Sequence, residues 1–294
     1  MPLSRTDWSY ATQVCRTAIL VLIAAMLLGA CGEGGSGTDS IVAADDDGPQ
    51  HVHGLGVDPA DESLYIATHT GLWRAAASEQ RARRVGDSYR DVMGFTVVGP
   101  KRFLGSGHPD ARENLPPLLG LTASDDAGQS WTSVSLEGKA DFHVLRFANG
   151  RIYGVDATSG QIMRSVDGGK SWHTLAPPRA VIDFALDRQD PNLLVASTER
   201  GLMRSTDGGR KWRPLNQLVG LLAWPEPHKL YLIAGNGRTH VSADSGRSFK
   251  TAGNIGGQPA AFANHGDELL VALHDSTIKH STDGGRSWTI RATP

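Results

Sequence analysis

Eleven histidines stand in this 294-residue chain, and they are unevenly placed. His51 and His53 flank a single valine. On an extended strand that spacing sends both side chains to the same side, so one ion can sit between them. His69 in Thr68-His69-Thr70, His108 in Gly107-His108-Pro109-Asp110 and His143 in Asp141-Phe142-His143 extend the candidate metal set, together with Met93. Imidazoles with a thioether suit copper, and imidazoles with a carboxylate suit zinc or iron; Met93 tilts the expectation toward copper, with zinc as the other candidate cofactor. The competing reading makes the same histidines hydrogen-bonding spacers around a polar channel, or donors to a sugar. Asp91, Asp110, Asp141, Asp156 and Asp183 lie in the same or equivalent segments. Two carboxyls about 5 to 9.5 Å apart across a bond would give glycosidase chemistry. Nothing in the sequence selects a pair. His274 belongs to the expected mouth set, whereas His173, His228, His240, His265 and His280 fall at outer strands or turns and read as surface residues.

What must position these groups is a repeat. Ser124-Asp125-Asp126-Ala127-Gly128-Gln129-Ser130-Trp131 recurs as Ser165 to Trp172, Ser205 to Trp212, Ser242 to Phe249 and Ser281 to Trp288, at intervals of 41, 40, 37 and 39 residues. Periods near 40 in a chain rich in short β-like runs indicate propeller blades. Upstream of each copy stands an apolar run: Leu64 to Ala67, Arg102 to Gly105, Ile152 to Val155, Leu193 to Ala196, Leu230 to Ile233 and Leu269 to Ala272. Six such second strands predict an all-β fold, a single six-bladed β-propeller over 50–294. First strands are expected near His51, Asp91, Asp141, Val181, Val219 and Pro259. Blade one has no acidic copy of its own and keeps only a third strand in Gly71-Leu72-Trp73-Arg74. Blade two carries an insertion, Pro109 to Pro117, which reads either as a lid or wall over the mouth or as a tolerated excursion, with His108 and Asp110 at its root favouring function.

In a propeller the first strands start, and the second strands end, on one face. Self-alignment of the repeats sets Met93 and His143 at the place of His53, so the histidines converge on one mouth. The acidic repeat has its own physical reading. Its Asp accepts hydrogen bonds from turn N–H groups, its Gly takes positive φ, and its aromatic returns to the core. Asp126, Asp167, Asp207, Asp244 and Asp283 therefore read as structural.

The pattern Ser-x-Asp-x-Gly-x-x-Trp resembles the Asp-box, or BNR repeat, of sialidase-like propellers. The segments His51-Val52-His53-Gly54-Leu55-Gly56-Val57, Met93 to Pro100 and Gly105-Ser106-Gly107-His108-Pro109-Asp110 are similar to small bacterial secreted or lipid-anchored propellers of that kind, often labelled glycosylhydrolase. The resemblance implies that ligands sit at the mouth. It does not imply a true sialidase. No Arg-Ile-Pro occurs, and Arg81, Arg83 and Arg84 belong to an outer strand. Tyr65, Tyr153 and Tyr231 share one repeat position filled elsewhere by Phe103, Leu194 and Leu270, a core position. Asp-box rings also serve as binding or assembly scaffolds, as photosystem II assembly factors and sortilin ectodomains illustrate.

The N-terminal segment reads as an address. An uncharged apolar run, Ala18 to Leu28, is of signal-peptide length and too short to span a bilayer. Leu28-Gly29-Ala30-Cys31 looks like a lipobox. The expected organisation is a lipoprotein signal peptide over 1–30, lipidation at Cys31, a flexible Gly-rich and acidic tether over 31–49, and then the ring. The only other cysteine, Cys15, falls in the signal, so no disulfide or thiol site is expected. With 29 Lys+Arg against 31 Asp+Glu, the charge is −2 and gives no basis for nucleic-acid binding. The expectation is an extracytoplasmic protein anchored by lipid to a bacterial membrane, facing the periplasm or the cell surface, and binding a transition metal or a small polar ligand. A glycoside hydrolase using the mouth aspartates, and a scaffold for a protein partner at the cell envelope, are the alternatives.

Overall fold

A computed structural model of the chain describes residues 48–178 and 180–293. The signal segment, Cys31 and all but the last two residues of the expected tether lie outside the described residues. The ring is a six-bladed β-propeller, built from six four-stranded antiparallel sheets. Blade 1 comprises β1 (Val52–Asp58), β2 (Ser63–Thr68), β3 (Gly71–Ala75) and β4 (Arg83–Arg84). Blade 2 comprises β5 (Asp91–Gly99), β6 (Arg102–His108), β7 (Leu121–Ser124) and β8 (Thr132–Ser135). Blade 3 has β9 (Phe142–Ala148), β10 (Arg151–Asp156), β11 (Gln161–Ser165) and β12 (His173–Leu175); blade 4 has β13 (Val181–Leu186), β14 (Leu194–Thr198), β15 (Gly201–Ser205) and β16 (Arg213–Asn216). Blade 5 runs through β17 (Leu221–Glu226), β18 (Lys229–Ile233), β19 (Arg238–Ser242) and β20 (Lys250–Asn254); blade 6 runs through β21 (Pro259–His265), β22 (Glu268–Leu273), β23 (Ile278–Ser281) and β24 (Thr289–Ala292). Among the described residues no helix is long and apolar enough to cross a membrane.

The second strands are continuous apolar runs because a neighbouring blade covers each of their faces, so period-2 alternation with solvent is lost. Leu64, Ile66, Leu194, Leu232 and Leu270 are wholly buried. The shared repeat position is core throughout, with Tyr65, Phe103, Tyr153, Leu194, Tyr231 and Leu270 all buried. Apolar clusters fill the wedges between blades; one joins Leu55, Leu64 and Ile66 of blade 1 to Leu270, Ala272 and Ile278 of blade 6.

The acidic repeat builds the turn from third to fourth strand. In blade 2, Asp126 Oδ1 accepts from Ser124 Oγ at 2.8 Å and from Ser130 N at 2.9 Å, while Oδ2 accepts from Ser130 Oγ at 2.6 Å. Gly128 N donates to Ser124 Oγ at 2.8 Å. The same web surrounds Asp167, Asp244 and Asp283, while at Asp207, where Lys211 replaces the second serine, the Ser205 hydroxyl and the backbone N–H groups of Arg210 and Lys211 supply the donors. The repeat glycine has a second duty. Gly169, at φ 89°, lies so close to blade 2 that a Cβ would stand 2.2 Å from Leu121 Cδ2. Each turn therefore also docks its blade onto the one before it.

One feature differs from the sequence reading. Blade 1 does possess a fourth strand, the two-residue β4, paired through Trp73 with Arg84 and Arg74 with Arg83. Without an acidic turn to fix the hairpin, that strand stays short. Among the described residues ring closure involves no exchanged strand. The last strand stays in blade 6, and the chain end latches onto blade 1 through an Arg81–Thr293 parallel bridge and a Thr293 N to Gln80 O bond of 2.9 Å. Arg291 adds donations to Glu79 O and Ala76 O at 3.1 and 3.3 Å.

Candidate functional site at the channel mouth

The first strands line a central cavity of about 750 Å³. At its mouth the ladders are irregular in a regular way. Register slips by one residue between Val52 and Gly54, Val92 and Gly94, Val181 and Asp183, and Pro259 and Ala261. In blade 3 the slip falls opposite Val155 and Asp156. The extra residues are His53, Met93, His143, Ile182 and Ala260. A β-bulge leaves one residue unpaired and re-aims its side chain, a device common beside functional sites. All five bulged residues line the cavity, and Leu221 of blade 5, whose own register shift lies further along the strand between Ala223 and Glu226, completes the ring. The repeat alignment of His53 with Met93 and His143 corresponds to this ring. Gly94, directly after the bulge, permits the closeness of blades 2 and 3, since a Cβ there would stand 2.3 Å from Phe142 O.

His53, His69 and Asp91 each offer one ligand atom, and the three atoms lie within 4.8 Å of one another. His69 stands just after β2, Asp91 opens β5, and His53 fills the blade 1 bulge, so two adjacent blades supply the set. His69 Nδ1 approaches Asp91 Oδ1 at 2.9 Å, a close ionic contact that lacks the alignment of a hydrogen bond. The rings of His53 and His69 meet edge to face at 4.3 Å between centroids. His53 Nε2 is buried and has no hydrogen-bond partner. Burial first, and then the nearby His69, His143 and His51, push its pKa down to about 4 against the opposing pull of Asp91. A neutral imidazole with a free ring nitrogen is the form a metal ion needs.

The strand alternation expected to pair His51 with His53 is interrupted. His51 lies before β1 with φ 52°, and His53 sits in a bulge. The exposed His51 ring is instead 5.3 Å from His69.

A second cluster adjoins the first. Asp141 Oδ2 lies 2.7 Å from His143 Nε2 and 3.6 Å from His108 Nε2, while its Oδ1 is buried without a partner. Chiefly the hydrogen bond that Asp141 accepts, outweighing burial, raises the His143 pKa. His108 Nδ1 is 2.8 Å from Pro117 O. As a carbonyl only accepts, Nδ1 carries the hydrogen, and a neutral His108 turns a bare Nε2 toward Asp141. Such backbone anchoring of the far nitrogen is a usual support for metal-binding histidines.

The remaining acids serve other ends. Asp110 anchors the insertion, accepting from Tyr89 N at 2.8 Å and from Arg112 N and Nε at 2.9 and 3.0 Å, and the Arg112 contact holds its carboxyl far below the usual range. Arg90 clamps Glu113 beside it through Nε and Nη2. Asp156 caps the turn after β10, accepting from Asp141 N, Thr158 Oγ1 and Ser159 Oγ. Asp183 stitches three blades, accepting from Arg146 Nη2 at 2.6 Å, its neighbour Phe184 N and Leu222 N at 2.8 Å; deep burial nevertheless raises its pKa. His274 is exposed beside β22, outside both clusters. His265, read as a surface residue, ends β21 and lines the cavity, where Nε2 pairs with Glu62 at 3.0 Å.

No family model matches the sequence, and no curated protein matches it significantly. Solved structures match in fold. An ancestral GH74 enzyme superposes with a TM-score of 0.54 at 15% identity, covering 83% of this chain and 39% of that one. The chain thus spans well under half the length of that enzyme. YCF48 bound to D1 peptide gives 0.50 at 17% identity, over 83% of this chain and 82% of that one. A chain of a nidogen/laminin complex gives 0.55 at 14%, over 74% and 88%. At such identities the likeness establishes a β-propeller and nothing narrower.

Proposed function

We propose that the protein is a lipid-anchored, extracytoplasmic propeller of the sialidase-like Asp-box kind whose mouth binds one transition-metal ion through His53, His69 and Asp91. The carrying observation is the convergence of these three donors within 4.8 Å around a buried, unpartnered imidazole nitrogen. Three protein ligands of this type leave one position open, as in zinc sites that work on an external ligand. Two imidazoles and a carboxylate suit zinc, while Met93 in the same ring of bulges adds the thioether that would draw copper. Cys31 supplies the anchor, and the saturated serine–aspartate turns support the Asp-box reading.

Metal analysis of protein purified without a histidine tag tests this. About one zinc per chain is expected in the wild type and none in His53→Ala/His69→Ala. Equal metal content in both would end the proposal. A second reading, glycosidic hydrolysis, rests on the buried Oδ1 atoms of Asp91 and Asp141, neither of which accepts a hydrogen bond, although His69 Nδ1 lies close to that of Asp91. Turnover on a glycoside panel that disappears in Asp141→Asn, with metal content intact, would favour it.

A further inference from the structure

The ring of six residues at the mouth is divided in two. Blades 1 to 3 contribute His53, Met93 and His143; blades 4 to 6 contribute Ile182, Leu221 and Ala260 to the same cavity wall. Ile182 is 42% exposed, although its bulge could have carried any polar residue without cost to the ladder. An aliphatic arc thus faces a ligating arc. His53 belongs both to the donor cluster and to the cavity wall, which puts a bound ion at the cavity's edge. A volume of about 750 Å³ is in the range that encloses a small organic molecule.

We infer that the mouth takes an amphipathic organic anion, whose carboxylate fills the open position on the metal while a short aliphatic or aromatic body lies on Ile182, Leu221 and Ala260. This rests on the metal reading above. A free inorganic anion would leave the aliphatic arc wet, and an uncharged apolar molecule would leave the cation's charge unmet. The two arcs together select a molecule with both ends.

Isothermal titration of the zinc-loaded protein with acetate, butyrate, hexanoate and benzoate reads the inference. Affinity is expected to rise by up to about fourfold per added methylene, the factor for a fully buried CH₂. Ile182→Asn and, independently, Leu221→Ser should flatten that series while zinc stays at one per chain. The zinc-free protein should bind every member far more weakly. A flat series in the zinc-loaded wild type overturns the ligand inference and leaves the metal site standing. A series that rises equally in zinc-free protein or in both variants places the binding elsewhere and also overturns it. Failure of the wild type to take up zinc removes the metal reading itself, and the inference with it.

Discussion

The two ends of the ring use the same acidic residue in opposite ways. At the repeat turns Asp126, Asp167, Asp244 and Asp283 each accept from two serine hydroxyls and a backbone N–H, all within their own hairpin. At the mouth Asp91 and Asp141 each keep a buried oxygen with no hydrogen bond, beside His53 with its idle nitrogen. A saturated carboxylate is a fold device. One left unsaturated among imidazoles is a deficit that a ligand can make good, because unmet buried polar groups are costly.

The sharpest way to break the contrast is to cross it. Asp91→Asn should lower metal affinity by about 100-fold, in line with losing a ligand, yet leave the metal-free protein as stable as before or slightly more so, because sites kept unsatisfied for function cost stability. Ser242→Ala should do the reverse. It strands the buried Gly246 N–H and removes one of the donors to Asp244, costing about 2 kcal/mol in denaturant unfolding with metal content unchanged. If the first variant unfolds and the second loses metal, the division of labour is wrong.

Acid titration of metal-free protein gives a gentler separation. His53 is neutral in the folded ring down to about pH 4, whereas the unfolded imidazole takes its proton near 6.5. Below 6.5 the unfolded chain binds more protons, so the mouth loses stability as pH falls from 6.5 to 4. Asp244 is held at about 2 by Ser248, so its contribution persists above the ordinary aspartate value and is lost only between about 4 and 2. His143, whose raised value acts above 6.5, does not enter either window. His53→Asn should shrink the first loss, leaving the part that belongs to His240, whose burial also lowers its pKa, and spare the second. Smallest of all, Arg102→Ala, which removes an exposed 3.4 Å pair with Asp125 beside a repeat turn, should change stability by less than about 0.5 kcal/mol.

The ring itself was legible because its information is local and repeated. Five serine–aspartate turns and six apolar runs each fix a hairpin within some 40 residues, and every copy corroborates the others. The mouth was legible only where the repeat passes through it, as in the alignment of His53 with Met93 and His143. The pairing of His69 with Asp91 was not visible, since it depends on how blade 1 abuts blade 2. Asp110 looked available for chemistry because its partners, Tyr89 N and Arg112, are recruited by a loop with no repeat to interpret it. The aliphatic arc escaped notice for a plainer reason. Ile182, Leu221 and Ala260 look like ordinary core residues until the bulges turn the ring's first strands toward the channel.

The seam between blades 6 and 1 is bound by packing, the His265–Glu62 ion pair, one bridge and a few terminal contacts, so parting it removes no strand from any sheet. His53, His69 and Asp91 all lie on one side of that seam, within a single stretch of chain, whereas Ala260 lies across it. Breathing at the join would therefore widen the aperture between the aliphatic and ligating arcs while the three donors kept their mutual distances. A ring fastened in this manner can loosen its clasp while the geometry of His53, His69 and Asp91 stays as it is.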